Sequence, residues 1–512
     1  MKSGARSDLV TQREIEHKFS VAALFVLPDI SLGGTFAVTT EAPITQTALY
    51  FDTSDLKLFR WGITLRRRDG GKDAGWHLKL PVESGGGARH VRDELQLPLS
   101  AGTSASVPET FTRLLPGFLR GTTLHHVVTL RTVRQAHVIC DAAGVELAEL
   151  VDDTVSVLNG RNVAARFREV EVEETSHSVD LSILIGQLRA AGAVPSSISK
   201  AATALGPSSV ADADVPRPRP VTAESTAADV VNSYLSTQVR ALLFADLDVR
   251  RDAPDSVHQL RVAVRRLRSA LRTFGPLLEP EFTSGLRREL GWLANELGAS
   301  RDTEVMLHRL NSHAKVLAPE HAKRVREAVA TELPPQLERA RIQALAALDS
   351  SRHLALIELL IAAASAPALT PAAAEPARTL LPALVAEAWD RLADDVKKLR
   401  YESPSDDWHE ARILAKRARY AAEALPIAFG QSGVDRAVAL AHVTETLGEH
   451  QDAWLAQQTL QQLAAKPDTS GLAGFSLGLL CAHELDCEYR ARALFTERWP
   501  EVRRAHRRPA KG

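Results

Sequence analysis

A chain of 512 residues exceeds one ordinary domain, and its 45% hydrophobic and 24% charged residues supply cores for two or more. The 62 Lys and Arg balance 63 Asp and Glu to a formal net charge of -1, which excludes coating of nucleic acid or membrane by bulk charge. Any polyanion site has to be a local concentration of base. Three cysteines are too few for a disulfide framework, and no CxxC pair suggests zinc. Cys481, His483 and Cys487 sit among Leu479, Leu480 and Leu485 and read as a buried helix rather than a metal site. The N-terminus lacks the apolar region and cleavage site of a secretory signal, and the most apolar run, Leu354 to Leu369, carries Glu358 and is short for a membrane span. The expected location is cytoplasmic.

From about residue 10 to 175, short alternating segments are broken by Gly and Pro: Glu14–Phe19, Ile63–Arg68, Trp76–Leu80, Arg92–Leu97, Thr129–Ile139 and Phe167–Glu173. Period-two alternation with turns between predicts antiparallel strands. Leu181–Ala190 predicts a helix that closes this unit. Gly206 to Ala223, with alternating Pro and Arg from Pro216 to Pro220, predicts a linker. Beyond it the composition turns to Ala, Leu, Arg and Glu at helical periodicity. The expected fold is an N-terminal antiparallel β-barrel followed by an all-α bundle.

The strands carry charge in rows. Successive strand side chains point to opposite sides, so Glu14, Glu16 and Lys18 share one face while Ile15 and Phe19 need a core on the other. Arg66 and Arg68 share a face, as do His77 and Lys79, Arg92 and Glu94, and Glu169, Glu171 and Glu173. One charged row is an ordinary solvated face; five suggest a barrel with a charged interior. Acids and bases facing each other across a tunnel suit a metal-bound polyphosphate. Hard Mg²⁺ or Mn²⁺ takes carboxylate and phosphate oxygens, and Arg and Lys neutralise the rest.

Glu14-x-Glu16-x-Lys18 resembles the ExExK signature of the CYTH superfamily, the triphosphate tunnel metalloenzymes. Tyr50-Phe51-Asp52-Thr53, Leu65 to Arg68, His77 to Leu80, Arg92-x-Glu94, Arg134, Asp152, Arg168 to Glu173 and Ser199-Lys200 follow in the family's order. The resemblance implies Glu14, Glu16 and Lys18 as the catalytic signature. It implies Glu14, Glu16, Asp152, Glu169 and Glu171 as metal ligands for Mg²⁺ or Mn²⁺, and Lys18, Arg66, Arg68, Lys79, Arg92, Arg134 and Lys200 as substrate-binding bases. Asp153 competes with Asp152, and Arg131 with Arg134. Since 131 and 134 lie on opposite faces of a regular strand, only one of that second pair points inward. The implied chemistry is metal-dependent hydrolysis of inorganic triphosphate, short polyphosphate or a nucleoside triphosphate. No GxxxxGK[ST] motif supports a P-loop alternative. A tunnel open at both ends suits a bare triphosphate.

The C-terminal half repeats itself. His258-Gln-Leu-Arg261-Val-Ala-Val-Arg265-Arg266-Leu-Arg268 returns as His409-Glu-Ala-Arg412-Ile-Leu-Ala-Lys416-Arg417-Ala-Arg419, and Leu297-Gly298-x-x-Arg301-Asp302 returns as Leu447-Gly448-x-x-Gln451-Asp452. At 100° per residue, His258, Arg261, Arg265, Arg268 and Arg272 form one stripe roughly 80° wide, and His409, Arg412, Lys416 and Arg419 form another. Asp302 and Asp452 read as residues that cap helices or orient arginines. Like charges at i,i+4 destabilise a helix, so such stripes need an anion or acidic partners. These motifs resemble the CHAD domain, a helical domain named for conserved histidines, which implies inorganic polyphosphate as the ligand of both stripes. With the histidines near their ordinary pKa of about 6.5, mild acid would tighten the grip.

The expected domains are 1–206 for the CYTH tunnel, 207–222 for the linker, 223–500 for the CHAD helices in two repeats (about 223–370 and 375–500) and 501–512 for a basic tail. The expected function is a triphosphatase-like hydrolase joined to a polyphosphate binder. Two alternatives stay open: a non-catalytic protein that binds polyphosphate or targets its granules, and an adenylate cyclase acting on ATP. Nucleic acid is disfavoured, because aromatics for base stacking are only 5% of the chain.

Overall fold

Ten strands form from the alternating segments, as β1 (Val10–Val21), β2 (Ala37–Thr40), β3 (Ile44–Asp52), β4 (Thr64–Asp69), β5 (Gly75–Pro81), β6 (Arg89–Leu97), β7 (His125–Cys140), β8 (Glu146–Asn159), β9 (Asn162–Glu174) and β10 (Val194–Pro195). The computed structural model describes residues 9–82, 89–175 and 180–507. The chain folds as two compact units, Met1–Ala213 and Asp214–Gly512.

In the first unit the order β1-β6-β5-β4-β3-β7-β8-β9 returns to β1, so eight antiparallel strands close a barrel. β2 adds to β7, and β10 adds to β1. Short helices decorate it: α1 (Lys57–Arg60), α2 (Glu109–Thr112), α3 (Pro116–Leu119), α4 (Ser182–Ala190) and α5 (Lys200–Leu205). The apolar members of the alternating rows point outward and are covered. Phe19, Leu150, Val170 and Val172 pack under Leu184 and Leu188 of α4. The inner faces keep the charged rows.

One end of the barrel is filled. Ala201 and Ala202 of α5 pack with the inward-facing Ala48, Tyr50, Val128, Leu130 and Val155. The expectation of a tunnel open at both ends is therefore not met: an apolar plug occupies one end. At this same end the Asp52 carboxylate accepts the backbone N–H groups of Thr53, Leu58 and Phe59 at 2.6–2.9 Å, which starts α1.

The second unit is all helical: α6 (Ala227–Arg250), α7 (Ser256–Thr273), α8 (Pro280–Glu296), α9 (Gly298–His313), α10 (Pro319–Leu348), α11 (Ser351–Ser365), α12 (Ala377–Val396), α13 (Ser405–Ala422), α14 (Pro426–Phe429), α15 (Gln431–Ala464) and α16 (Gly471–Arg507). A capping box between Thr226 and Asp229 starts α6. The α7 helix buries Leu260, Ala263, Val264, Leu267 and Leu271 and turns its basic stripe away from them. The duplicated motifs differ in their backbone: the chain breaks at Leu297 between α8 and α9, whereas α15 runs straight through Leu447 and Gly448.

Two sequence expectations change here. The Pro-rich segment is pinned along α6, since Arg240 Nη1 donates to the Val215 carbonyl at 2.9 Å and Ser233 Oγ to that of Arg219 at 3.0 Å. The expected basic tail is helical through Arg507, because α16 continues to that residue. Residues 508–512 of that tail lie outside the described residues.

Candidate functional site

The inner faces of the strands enclose a cavity of about 230 Å³ lined by Glu14, Glu16, Lys18, Arg66, Arg68, Lys79, Arg92, Arg134, Glu171 and Lys200, all named from the sequence. It is also lined by Gln12, Tyr50, Thr64, Asp73, Glu94, Gln96, Glu173 and Ser199. Lys200 reaches it from α5, whose start is fixed by Ser199 Oγ accepting the Ala202 N–H at 3.2 Å. A cation in the first turn opposes the helix dipole. It is held there by Glu171 at 2.6 Å, Glu169 at 2.8 Å and Asp153 at 3.0 Å, which lift the Lys200 pKa well above normal against its burial.

The acids fall into two groups. Asp153, Glu169 and Glu171 offer oxygens within 4.8 Å of one another, a spacing a metal could use. They are already compensated: Lys18 lies 2.8 Å from Glu169 and 3.3 Å from Glu171, Arg134 is bidentate to Asp153 at 2.7 and 3.0 Å, and Lys200 touches all three. The second group, Glu14, Glu16 and Glu173, is under-compensated. Lys79 Nζ binds Glu14 Oε1 at 2.7 Å, but neither Glu16 nor Glu173 has a hydrogen-bonding or ion-pairing partner among the described residues. Glu16 and Glu173 face each other in adjacent strands. Burial first, then Glu14, Glu16 and Glu171, push the Glu173 carboxyl up to about 7 in spite of Lys79. A hard divalent cation would relieve this crowding, and the donor set fits one.

The Glu173 shift gives a signed prediction. Its carboxyl titrates near 4.5 when unfolded and near 7 when folded, so its contribution falls as pH rises from 4.5 to 7 and is fully adverse above. Metal-free Glu173→Gln is expected to melt several degrees above the parent at pH 8 and no higher at pH 4.5. Mg²⁺ should raise the parent's melting temperature more at pH 8 than at pH 5. An equal Mg²⁺ effect at both pH values would exclude Glu173 from the cation site.

The basic wall is short of acceptors. Arg66 Nε and Arg68 Nε are buried without hydrogen-bond partners. Burial, then Arg66 and Arg134, depress the Arg68 guanidinium to about 9, although Asp73 reaches it from the β4–β5 turn. Burial would raise the Tyr50 phenol, yet Arg66, Lys200 and Arg68 bring it below its ordinary value. Buried cations with unmet N–H donors form a socket for an anion rich in oxygens.

One expected ligand is misassigned. Asp152 lies on the outer face, where Arg168 Nε donates to it at 2.8 Å; Asp153 is the fully buried, inward neighbour. A shift of one residue exchanges the faces of a strand, and the adjacent aspartates gave no signal to choose. Arg134 is the inward base and Arg131 is exposed, as their spacing requires. Glu94 and Glu173 were legible as members of charged rows but carried no assigned role. Glu94 holds His77 Nδ1 at 2.8 Å and lies 3.6 Å from Arg66 and 3.7 Å from Lys79.

In the helical unit, α7 and α13 pack together and bring both stripes to one place. Arg265 and Arg419 each stand 5.9 Å from the Tyr420 ring. Arg265 Nε and Arg412 Nε are buried without hydrogen-bond partners. Burial, then Arg412 and Arg265, lower the Lys416 ammonium to about 7. Farther along α7, Arg272 lies among Arg417, Arg287, Arg268 and Arg391 and is depressed by burial and by all four. The repeated aspartates orient arginines: Arg261 Nη1 donates to Asp302 at 3.0 Å and to the Gly298 carbonyl at 2.7 Å, and Arg412 lies 3.7 Å from Asp452. The histidines differ, with His409 Nδ1 2.6 Å from Gln451 Oε1, while burial and then Arg301 lower His258. That shift moves the protonation of His258 below the value expected from sequence.

Residues 12–187 match the CYTH domain family, and residues 233–461 match the CHAD domain family. An uncharacterized protein of Mycobacterium tuberculosis is 33% identical over 507 residues, which cover 94% of each chain. Among solved structures, PptA from Streptomyces chartreusis is similar over 54% of this chain and 100% of that one, with 29% identity and a TM-score of 0.47. The CHAD domain of the plant Ricinus communis is similar over 57% and 97%, with 24% identity and a TM-score of 0.45. With a closed charged barrel over one match and a duplicated basic bundle over the other, the chain belongs to the proteins that join a CYTH domain to a CHAD domain.

Proposed function

We propose that the barrel hydrolyses inorganic triphosphate or short polyphosphate with Mg²⁺ or Mn²⁺, and that the helical unit binds longer polyphosphate. One observation carries the first part: a cavity whose buried Arg66 Nε and Arg68 Nε lack acceptors on one side and whose Glu16 and Glu173 lack an ion-pair partner among the described residues on the other. A metal-bound phosphate chain supplies both. Glu14, Glu16 and Glu173 would hold the ion, which when bound lowers the pKa of water and neutralises phosphate charge. Arg66, Arg68 and Arg92 would take phosphate oxygens, Arg with its two-pronged geometry. Lys18, Lys79 and Lys200 begin in ion pairs with the cavity acids. Lys18 and Lys79 can each turn an N–H toward developing negative charge without leaving their partners, because an ammonium has three donors, whereas Lys200 already spends its three on Glu171, Glu169 and Asp153. Asp153, Glu169 and Glu171 position these bases.

Hydrolysis is favoured over cyclisation because the cavity lining among the described residues is charged and polar, apart from the Tyr50 ring, and those residues offer no apolar slot for a purine. The test is an assay of the full-length protein with triphosphate, ATP and long-chain polyphosphate, with and without Mg²⁺. Orthophosphate from triphosphate, dependent on Mg²⁺ and faster than from ATP, is the expected result. Cyclic AMP as the main product from ATP would refute it.

A further inference from the structure

The helical unit holds a cluster that neither phosphate site uses. His313 is the last residue of α9, and His483 and Cys487 lie one turn apart on α16. One ligand atom from each lies within 4.8 Å of the other two. Cys487 Sγ stands 3.6 Å from His483 Nε2. Two ligands of a tetrahedral zinc ion, with Zn–S near 2.3 Å and Zn–N near 2.0 Å, are separated by about 3.6 Å. The His313 and His483 rings meet edge to face with centroids 5.3 Å apart. Imidazoles aimed at one tetrahedral ion have centroids roughly 5 Å apart.

The surroundings are those of a metal-binding histidine. The Glu484 side chain is fully buried, and its Oε1 lies 2.8 Å from His313 Nδ1. Its other oxygen accepts from Arg309 Nε at 2.9 Å and Nη2 at 2.7 Å, so the carboxylate cannot rotate away. A carboxylate on one ring nitrogen fixes the tautomer and leaves the other, Nε2, as a lone-pair donor. Glu449 closes the network with two bonds to Arg309 at 2.6 and 2.9 Å. Once Cys487 gives up its proton to solvent, two carboxylates, one guanidinium and one thiolate leave a net charge of two negatives, which one divalent cation neutralises.

We infer that His313, His483 and Cys487 bind a thiophilic divalent ion, Zn²⁺ by ligand type, in a site that ties the end of α9 to α16. Two imidazoles and a thiolate suit zinc and reject Mg²⁺, which prefers oxygen. A fourth position is left for water. The ion would deprotonate the Cys487 thiol on binding and would close the long stretch of chain between the two helices, so it stabilises the unit. The sequence alone could not show this, because the third ligand comes from a distant helix.

The test uses full-length protein stripped with a chelator and titrated with Co²⁺ in excess Mg²⁺, which keeps the oxygen sites filled. One equivalent of Co²⁺ should produce a thiolate-to-cobalt charge-transfer band in the near ultraviolet, and Zn²⁺ should displace it. Cys487→Ser should abolish the band. Cys481→Ser should keep it, since that thiol lies at Gln461. Glu484→Gln should weaken the affinity by about 10- to 100-fold. Absence of the band in the unmodified protein overturns the site, whatever the variants do. So does its persistence in Cys487→Ser.

Discussion

Glu16→Gln is expected to lower Mg²⁺-dependent phosphate release from triphosphate by at least two orders of magnitude while the barrel stays folded. Gln keeps the size and removes the charge that a hard cation requires. Removing a single preorganised electrostatic group from a buried site costs roughly 10²- to 10³-fold in rate. Glu16 has no ion-pair partner among the described residues, so its neutralisation leaves no buried base stranded. Glu169→Gln is different, because Lys18 and Lys200 each lose a carboxylate at 2.8 Å and stability should fall with rate. Rate and melting temperature measured together separate the two. Asp152→Asn, on the outer face beside Arg168, should lower the rate less than either. Undiminished turnover in Glu16→Gln would falsify the cation assignment.

The second large effect is expected in the helical unit. Arg265→Glu combined with Lys416→Glu should abolish binding of long polyphosphate by the full-length protein and leave triphosphate hydrolysis nearly unchanged. Both positions sit where the two stripes meet, so the pair replaces two cations by two anions beside Arg261, Arg412 and Arg419. Binding by the parent should weaken steeply with salt, through the release of counterions, and should need no divalent metal. It should also depend on pH through Lys416. The free ammonium titrates near 7, and a bound polyanion raises that value. Binding therefore takes up a proton: affinity is greatest at and below pH 7 and falls as pH rises toward 9. Lys416→Arg should flatten this profile. Salt-independent binding, or binding that survives both reversals, would show the stripes to be a solvated surface.

The charged rows were legible because their period is two and their polarity is inverted. A row such as Glu14, Glu16, Lys18 backed by Ile15 and Phe19 reports a strand and an unusual inner face together. The strands β3 and β8 were harder to see. Inward Ala48 and Val155 face the plug, so both sides of these strands are apolar over part of their length and alternation fades. The choice between Asp152 and Asp153 depends on the register of β8 against β7 and β9, which adjacent identical residues do not disclose. Glu173 looked like the end of a row. Its burial and its place near Glu14 and opposite Glu16 are what raise its carboxyl, and the row alone does not disclose them. In the helical unit the repeat itself announced the stripes, whereas the pinning of Val215 and Arg219 to α6 depends on which face of that helix the rest of the bundle leaves uncovered.

The closure of the barrel by β1 against β9 also governs how the site comes into being. Phe19 pairs with Val170 and Glu16 with Glu173, so the last ladder joins residues about 150 positions apart in the chain. Contacts of such separation form late, because the entropy of closing the intervening loop is lost before they give anything back. Hairpins such as β4–β5 and β8–β9 need no such wait. On that ground the β1–β9 ladder is expected to be the last to form in the first unit. The opposed carboxylates of Glu16 and Glu173 exist as a pair only once that ladder has formed, so a divalent cation held between them would act on the closing step and leave the earlier ones alone.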